Sequence, residues 1–202
     1  MKNIRTEEEI ISKWKGGINE PTVSICCLTY NHDKYIADTL DSFLMQETDF
    51  SFEVIINDDC SQDNTAMILK DYENRYPNII KPIYQEANQL SQGVGPLSEF
   101  IFPIAKGQFI AICDGDDFWI SSTKLKNQVN EFYKNKKRFN CCRKLISDVY
   151  QDKKAIIHSN ILLIFQLKKI QNIISSLHLK KLIKLKKKKK KKKKKKNIHL
   201  LL

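Results

Sequence analysis

Between Pro21 and Tyr133 the chain alternates between two spacings of apolar residues. Four short runs, Thr22–Leu28, Phe52–Asn57, Ile79–Tyr84 and Phe109–Cys113, are almost continuously apolar and predict strands, the last one buried on both faces. Between them the spacing lengthens. Ile36, Leu40, Phe43 and Leu44 fall at i, i+4, i+7 and i+8 and predict an amphipathic helix starting near Asp33. Leu69, Tyr72 and Tyr76 mark a second helix, capped by Ser61 or Asp63 and ended by Pro77-Asn78. A third is expected over Leu97–Ala105, stopped by Lys106-Gly107, and a fourth over Leu125–Tyr133 with Leu125, Val129, Phe132 and Tyr133 on one face. Residues 1–20 read as a polar leader with a short helix around Glu7–Trp14, closed by Gly16-Gly17. Strands alternating with helices in this way imply an α/β fold, a mostly parallel sheet flanked by helices.

Charge alters the picture only when it is located. The whole chain of 202 residues carries a net +12, which by itself suggests a nucleic-acid or membrane binder. Residues 1–137, however, hold 14 Lys and Arg against 21 Asp and Glu, so the predicted domain is acidic and lacks the footprint of a nucleic-acid reader. The excess of positive charge belongs to residues 138–202, a Lys/Ile/Leu-rich tail with an unbroken lysine run at 186–196, where no packed structure is expected. Six cysteines, Cys26-Cys27, Cys60, Cys113 and Cys141-Cys142, include no C-x-x-C pair, and no secretory signal opens the chain. Reduced thiols in a cytoplasmic protein are the expectation. His32, His158, His178 and His199 show no ligand spacing and receive no role.

Candidate chemistry sits where predicted strands end. Thr29-Tyr30-Asn31 follows the first, Asp58-Asp59 the second, and Asp114-Gly115-Asp116-Asp117 the strand from Phe109. In a parallel sheet these three stretches lie along one edge, the edge at which such sheets bind ligands. Three carboxylates within four residues repel one another unless a cation lies among them, and oxygen ligands favour a hard ion, Mg²⁺ or Mn²⁺. A solvated acidic turn is the alternative. Phosphate loops of the G-x-x-x-x-G-K-[ST] and G-x-G-x-x-G types are absent from the sequence, so a carboxylate-held metal is the remaining device for a diphosphate. An EF-hand over Asp59–Lys70 fails, with Asn64 in place of the glycine and Lys70 in place of the bidentate glutamate.

PTVSICCLTYNHDKYI, FEVIINDDCSQDNT and AKGQFIAICDGDDFW, in that order, resemble the family 2 glycosyltransferases of the GT-A fold, over residues 21–137. The resemblance implies an inverting transfer of sugar from a nucleotide-sugar donor, a UDP-sugar above all, to a saccharide or lipid-linked acceptor in polysaccharide or glycoconjugate synthesis. It implies that Thr29 and Asp59 contact the nucleotide base, with Tyr30, Asn31 and Asp58 beside them. Asp114-Gly115-Asp116 is then the D-x-D element, Asp116 with Asp114 holding the metal and Asp117 lying near the ribose or sugar. The family's general base is expected well downstream, and after Glu131 only Asp148 and Asp152 remain. The domain is therefore expected to be incomplete at its C-terminal side and poor at transfer, with residues 138–202 arising by truncation or a change of frame. Two other readings of the tail stay open, a polybasic anchor at the inner face of the membrane and a nucleic-acid tail on a non-catalytic protein.

Overall fold

A computed structural model of the protein describes residues 5–134 and the backbone of one further short strand, Phe165–Gln166. Five strands form a single sheet in the order β3-β2-β1-β4-β5: β1 is Val23–Thr29, β2 Phe52–Asp58, β3 Ile80–Tyr84, β4 Phe109–Asp114 and β5 Phe165–Gln166. The first four run parallel, and β5 pairs antiparallel with β4 through Phe109↔Gln166 and Ile110↔Phe165. The helices are α1 (Glu7–Ile11), α2 (Ile36–Leu44), α3 (Thr65–Arg75) and α4 (Lys124–Lys134). Each predicted strand is present within a residue or two of its expected limits. Among the described residues no helix is long and apolar enough to cross a membrane.

Side chains alternate across the strands, so β1 covers both faces at once. Val23, Ile25 and Cys27 point to the face occupied by the helices, where they pack with Leu40, Phe43 and Leu44 of α2, Leu69 and Tyr72 of α3, and Leu125 and Val129 of α4. On the reverse face Cys26, Ile55 and Ile110 are buried, as are Ile101 and Ala105. Cys26 and Cys27 are thus both inside, on opposite sides of one strand, and among the described residues Cys26, Cys27, Cys60 and Cys113 form no disulfide. Cys141-Cys142 lie outside the described residues.

The stretch that covers the reverse face departs from expectation. In place of a helix over Leu97–Ala105, a single 3₁₀ turn at Leu90–Gln92 is followed by a π-helical turn at Leu97–Ile101. The reason is Pro103. It lacks the N–H that a continuing helix would donate, so the regular ladder stops at the preceding turn. The start of α3 differs as well. Its N-cap residue is Asn64, with no side-chain cap bond, while the Asp63 carboxylate accepts from the N–H of Thr65 at 2.9 Å.

Residues 5–20 pack onto this domain. Thr6 and Glu9 form a capping box that starts α1, and Ile10 enters the core. The Arg5 guanidinium donates to the carbonyls of Leu44 and Gln46 at 2.8 and 2.9 Å, where the C-terminal end of α2 leaves acceptors open. Glu7 accepts from the N–H groups of Asn78 and Ile79 at 2.8 and 3.1 Å, and Trp14 lies edge-on to Phe52.

At the N-terminal ends of the strands a buried polar network joins the sheet. Glu53, 2% exposed, accepts from the Ser24 hydroxyl at 2.6 Å, the Lys106 N–H at 2.8 Å and the Lys81 ammonium at 2.7 Å. Gly107 approaches β1 so closely that a Cβ there would lie 2.3 Å from the Ser24 nitrogen.

Candidate functional site

Register decides which strand ends meet. Thr29 pairs with Asp58 across β1 and β2, and Leu28 pairs with Asp114 across β1 and β4. All three sequence-predicted stretches therefore converge at one edge of the sheet, with β1 in the middle.

The first two stretches lock to each other. Asn31 sits at φ 55° and Cys60 at φ 68°, left-handed positions that turn the chain sharply after each strand. The Asn31 N–H donates to the Ser61 hydroxyl at 2.9 Å, and the Asn31 side-chain carbonyl accepts from the Gln62 N–H at 2.7 Å. The His32 N–H donates to the Thr65 hydroxyl at 2.9 Å and the Asp33 N–H to the Asp63 carboxylate at 3.0 Å. Asp58 accepts from both the N–H and the hydroxyl of Ser61. Asn31 thus ties the two loops together, and Asp58 braces the second of them from within. Asp59 is 5% exposed, and its two oxygens accept from the N–H groups of Gln89 and Leu90 at 2.7 and 3.0 Å. That carboxylate fixes the loop from Asn88 to Gly95 against the strand ends, and each oxygen keeps a second lone pair. Tyr30 stays open to solvent.

The acidic turn lies on the other side of β1. Its backbone is pinned at three points: the Gly115 N–H donates to Leu28 O at 2.8 Å, the Thr39 hydroxyl donates to Gly115 O at 2.9 Å, and the Asp117 N–H donates to Asp114 O at 3.1 Å. Gly115 is required by space. A Cβ there would lie 2.7 Å from both Cβ and Oγ1 of Thr29 and 2.9 Å from His32 Nδ1. Those same two polar atoms, Thr29 Oγ1 and His32 Nδ1, are buried with no hydrogen-bond partner among the described residues. Such atoms are rare in folded proteins and concentrate where a ligand or a strained arrangement accounts for them.

Asp114 and Asp116 keep their carboxylates open to solvent, and among the described residues neither forms an ion pair. The Asp114 carboxyl is nonetheless crowded. Lost hydration, then the charges of Asp116 and Asp117, push its pKa above the usual carboxylate value, with His32 partly offsetting them. A hard divalent cation fits this donor set, because it would relieve the mutual repulsion of oxygen ligands that the fold holds together. Among the described residues no three His, Cys, Asp or Glu side chains form a ready-made metal cage, so Asp114 and Asp116 would supply part of a coordination sphere whose remainder comes from phosphate and water. Nearby Cys113 is no nucleophile: burial foremost, with Asp117 adding to it, pushes its thiol up to about 12.

Two participants were not legible in the sequence, His32 and Thr39. His32 follows Asn31 in the turn from β1 to α2, and Thr39 lies one turn into α2, so both reach Gly115 only through the fold. The proximity of a histidine to the turn carrying Thr29 was the available signal, and scattered histidines obscured it.

Comparison with known proteins identifies the family. The family model described as glycosyl transferase family 2 matches residues 24–199, and the chain belongs to that family. The match runs beyond residue 137, where the recognisable motifs end. An uncharacterized protein of Mycobacterium tuberculosis is 40% identical over 107 residues, which is 53% of this chain and 30% of the relative. The UDP-Glc:alpha-D-GlcNAc-diphosphoundecaprenol beta-1,3-glucosyltransferase WfaP of Escherichia coli is 35% identical over 108 residues, 54% of this chain and 40% of the relative. Among solved structures, that of Staphylococcus aureus TarS with UDP aligns at 31% identity over 57% of this chain and 33% of that one, with a TM-score of 0.48. The chain thus spans well under half the length of the relatives it matches.

Proposed function

We propose that the described domain binds the donor in a metal-dependent, inverting transfer of sugar from a nucleotide sugar to a saccharide or lipid-linked acceptor. The observation that carries this reading is the convergence at the β1 end of the acidic turn Asp114–Asp117 with the buried, unpartnered Thr29 hydroxyl. Family membership supports glycosyl transfer, and WfaP, whose name specifies a UDP-sugar donor and a lipid diphosphate acceptor, supports uridine as the base and a lipid-linked acceptor.

The chain's own residues divide the work. Asp114 and Asp116 would hold Mg²⁺ or Mn²⁺, which as a Lewis acid neutralises charge on the departing nucleoside diphosphate. Asp59 and the loop it fixes, Gln89-Leu90, form one wall for the base, with Thr29 and Tyr30 at its floor and mouth. Asn31 ties the β1 loop to the β2 loop and Asp58 braces the β2 loop through Ser61, so that the base wall is held against the end of β1. Asp117, next along the turn, lies on the side of the ribose or sugar.

The test is binding of UDP by the purified full chain, measured by titration calorimetry with Mn²⁺ and with EDTA. Binding that requires Mn²⁺ and disappears in Asp116→Ala is the expected result. Metal-independent binding that Asp116→Ala leaves intact rejects the reading.

A further inference from the structure

His32 belongs to neither the base wall nor the carboxylates, yet the fold directs its ring to the acidic turn. Its backbone is held from three directions: its N–H donates to the Thr65 hydroxyl, and its carbonyl accepts from the N–H groups of Tyr35 and Ile36 at 2.9 Å each. The backbone fixed in this way, the ring has little freedom. Its Nδ1 atom lies buried 2.9 Å from the position a Gly115 side chain would take, and no group among the described residues bonds to it. Thr39 grips the same glycine by its carbonyl. Gly115 is therefore confined between an imidazole nitrogen and a threonine hydroxyl, which fixes the backbone that carries its two flanking carboxylates.

We propose that His32 is a positioning residue for the acidic turn: its ring edge, with Nδ1 facing Gly115, sets where Asp114 and Asp116 lie when a divalent cation and a nucleoside diphosphate bind. The inference rests on the donor-binding function proposed above and adds to it a residue outside the metal and nucleotide contacts. The Gly115 N–H and carbonyl are already bonded to Leu28 O and Thr39, so among the described residues Nδ1 is left a hydrogen bond to gain only as the turn adjusts to a bound cation, and an apolar edge there would offer none. The influence of His32 on Asp114, opposite in sign to that of Asp116 and Asp117, agrees with this placement.

Two substitutions separate positioning from packing. His32→Asn keeps a polar atom near the Nδ1 position, whereas His32→Leu keeps bulk alone. Titration of the full chain with Mn²⁺ and UDP together, and with UDP in EDTA, is expected to show about a tenfold loss of affinity for His32→Leu with Mn²⁺, corresponding to one hydrogen bond, and a loss of at most about threefold for His32→Asn. Thermal unfolding without ligand checks that both variants fold. The electron paramagnetic resonance spectrum of bound Mn²⁺ at saturating metal is expected to differ from the parent's in His32→Leu and to match it in His32→Asn, a change that a purely structural role would not cause. Equal affinities for the parent and His32→Leu, or equal losses in both variants, overturn the inference while leaving the Asp116→Ala result in place. A parent that takes up no UDP with Mn²⁺ overturns the donor-binding reading and this inference with it. If His32→Leu does not fold, His32→Gln replaces it: the longer side chain displaces the polar atom, and parent-like affinity in that variant would again overturn the inference.

Discussion

At the N-terminal end of the sheet, the Glu53 carboxylate is buried and fully engaged, with a hydroxyl, a backbone N–H and an ammonium around it. At the C-terminal end, some 20 Å away along strands of six or seven residues by the usual strand rise, Asp114 and Asp116 stand beside one another without an ion pair among the described residues, over two unpartnered polar atoms. The same strands carry both arrangements. Charge that is complete within the chain holds the fold, and the charge left unpaired at the other end is where donor binding is proposed.

The largest expected effect tests the engaged end. Glu53→Ala strips partners from the Ser24 hydroxyl and the Lys106 N–H and should lower the free energy of unfolding in urea by about 3 kcal/mol, the lower end of the range for a broken buried pair because Lys81 can turn to water. The affinity of the molecules that remain folded for UDP with Mn²⁺ should not change. A fall in affinity without a fall in stability would break the contrast between the two ends.

Asp116→Ala is the converse. Removing one of three repelling carboxylates should leave the unfolding free energy unchanged or slightly higher, while affinity for UDP with Mn²⁺ falls at least by the roughly 10–100-fold that loss of an outer metal partner brings. Calorimetry and urea unfolding on the same protein sample measure both.

The two close-approach glycines sharpen the comparison. Gly107→Ala and Gly115→Ala both force a shift and should each cost about 1–3 kcal/mol of stability, with Gly107→Ala the more severe because its Cβ meets backbone. Only Gly115→Ala should also abolish UDP binding. Equal effects on binding would show that the ends are mechanically coupled.

The smallest effect concerns the locked loops. Burial alone would raise the pKa of Asp63, but hydrogen bonds from Thr65 and Asp33 outweigh it and hold the carboxyl below its ordinary value of 3.8. A depressed carboxyl stabilises the folded state above its unfolded pKa, and that contribution is lost as pH falls through the folded value. Asp63→Ala should therefore cost about 1 kcal/mol near neutrality. The difference from the parent should shrink as pH drops below 3.8, which acid titration followed by circular dichroism would detect.

The parallel sheet was readable because its strands are local, apolar and bounded by turn residues. The positions of Thr29, Asp58 and Asp114 at one edge follow from strand direction alone. What sequence could not supply was how each polar side chain is used there. Asn31 is predicted as a nucleotide contact, and its bonds to Ser61 and Gln62 depend on which loops meet in space, whereas Asp58 bonds Ser61 three residues along its own loop. The leader of residues 1–20 carried no core pattern beyond a few apolar positions, and the burial of Ile10 depends on contacts with elements far along the chain. Pro103 was visible and bears on the missing helix directly, since a proline seven residues into a predicted helix removes a donor wherever it stands.

The position of β1 also governs the timing of assembly. It is the first strand of the sheet to be synthesised and the only one hydrogen-bonded to both β2 and β4, but its partner on the β4 side, beginning with the Val23↔Phe109 pair, is translated last of the four parallel strands. At ordinary ribosomal speeds β1 waits on the order of ten seconds with one edge unpaired. During that interval the nascent sheet exposes an apolar edge capable of pairing with other chains, so yield on expression should depend on translation rate and on chaperones that bind extended apolar segments.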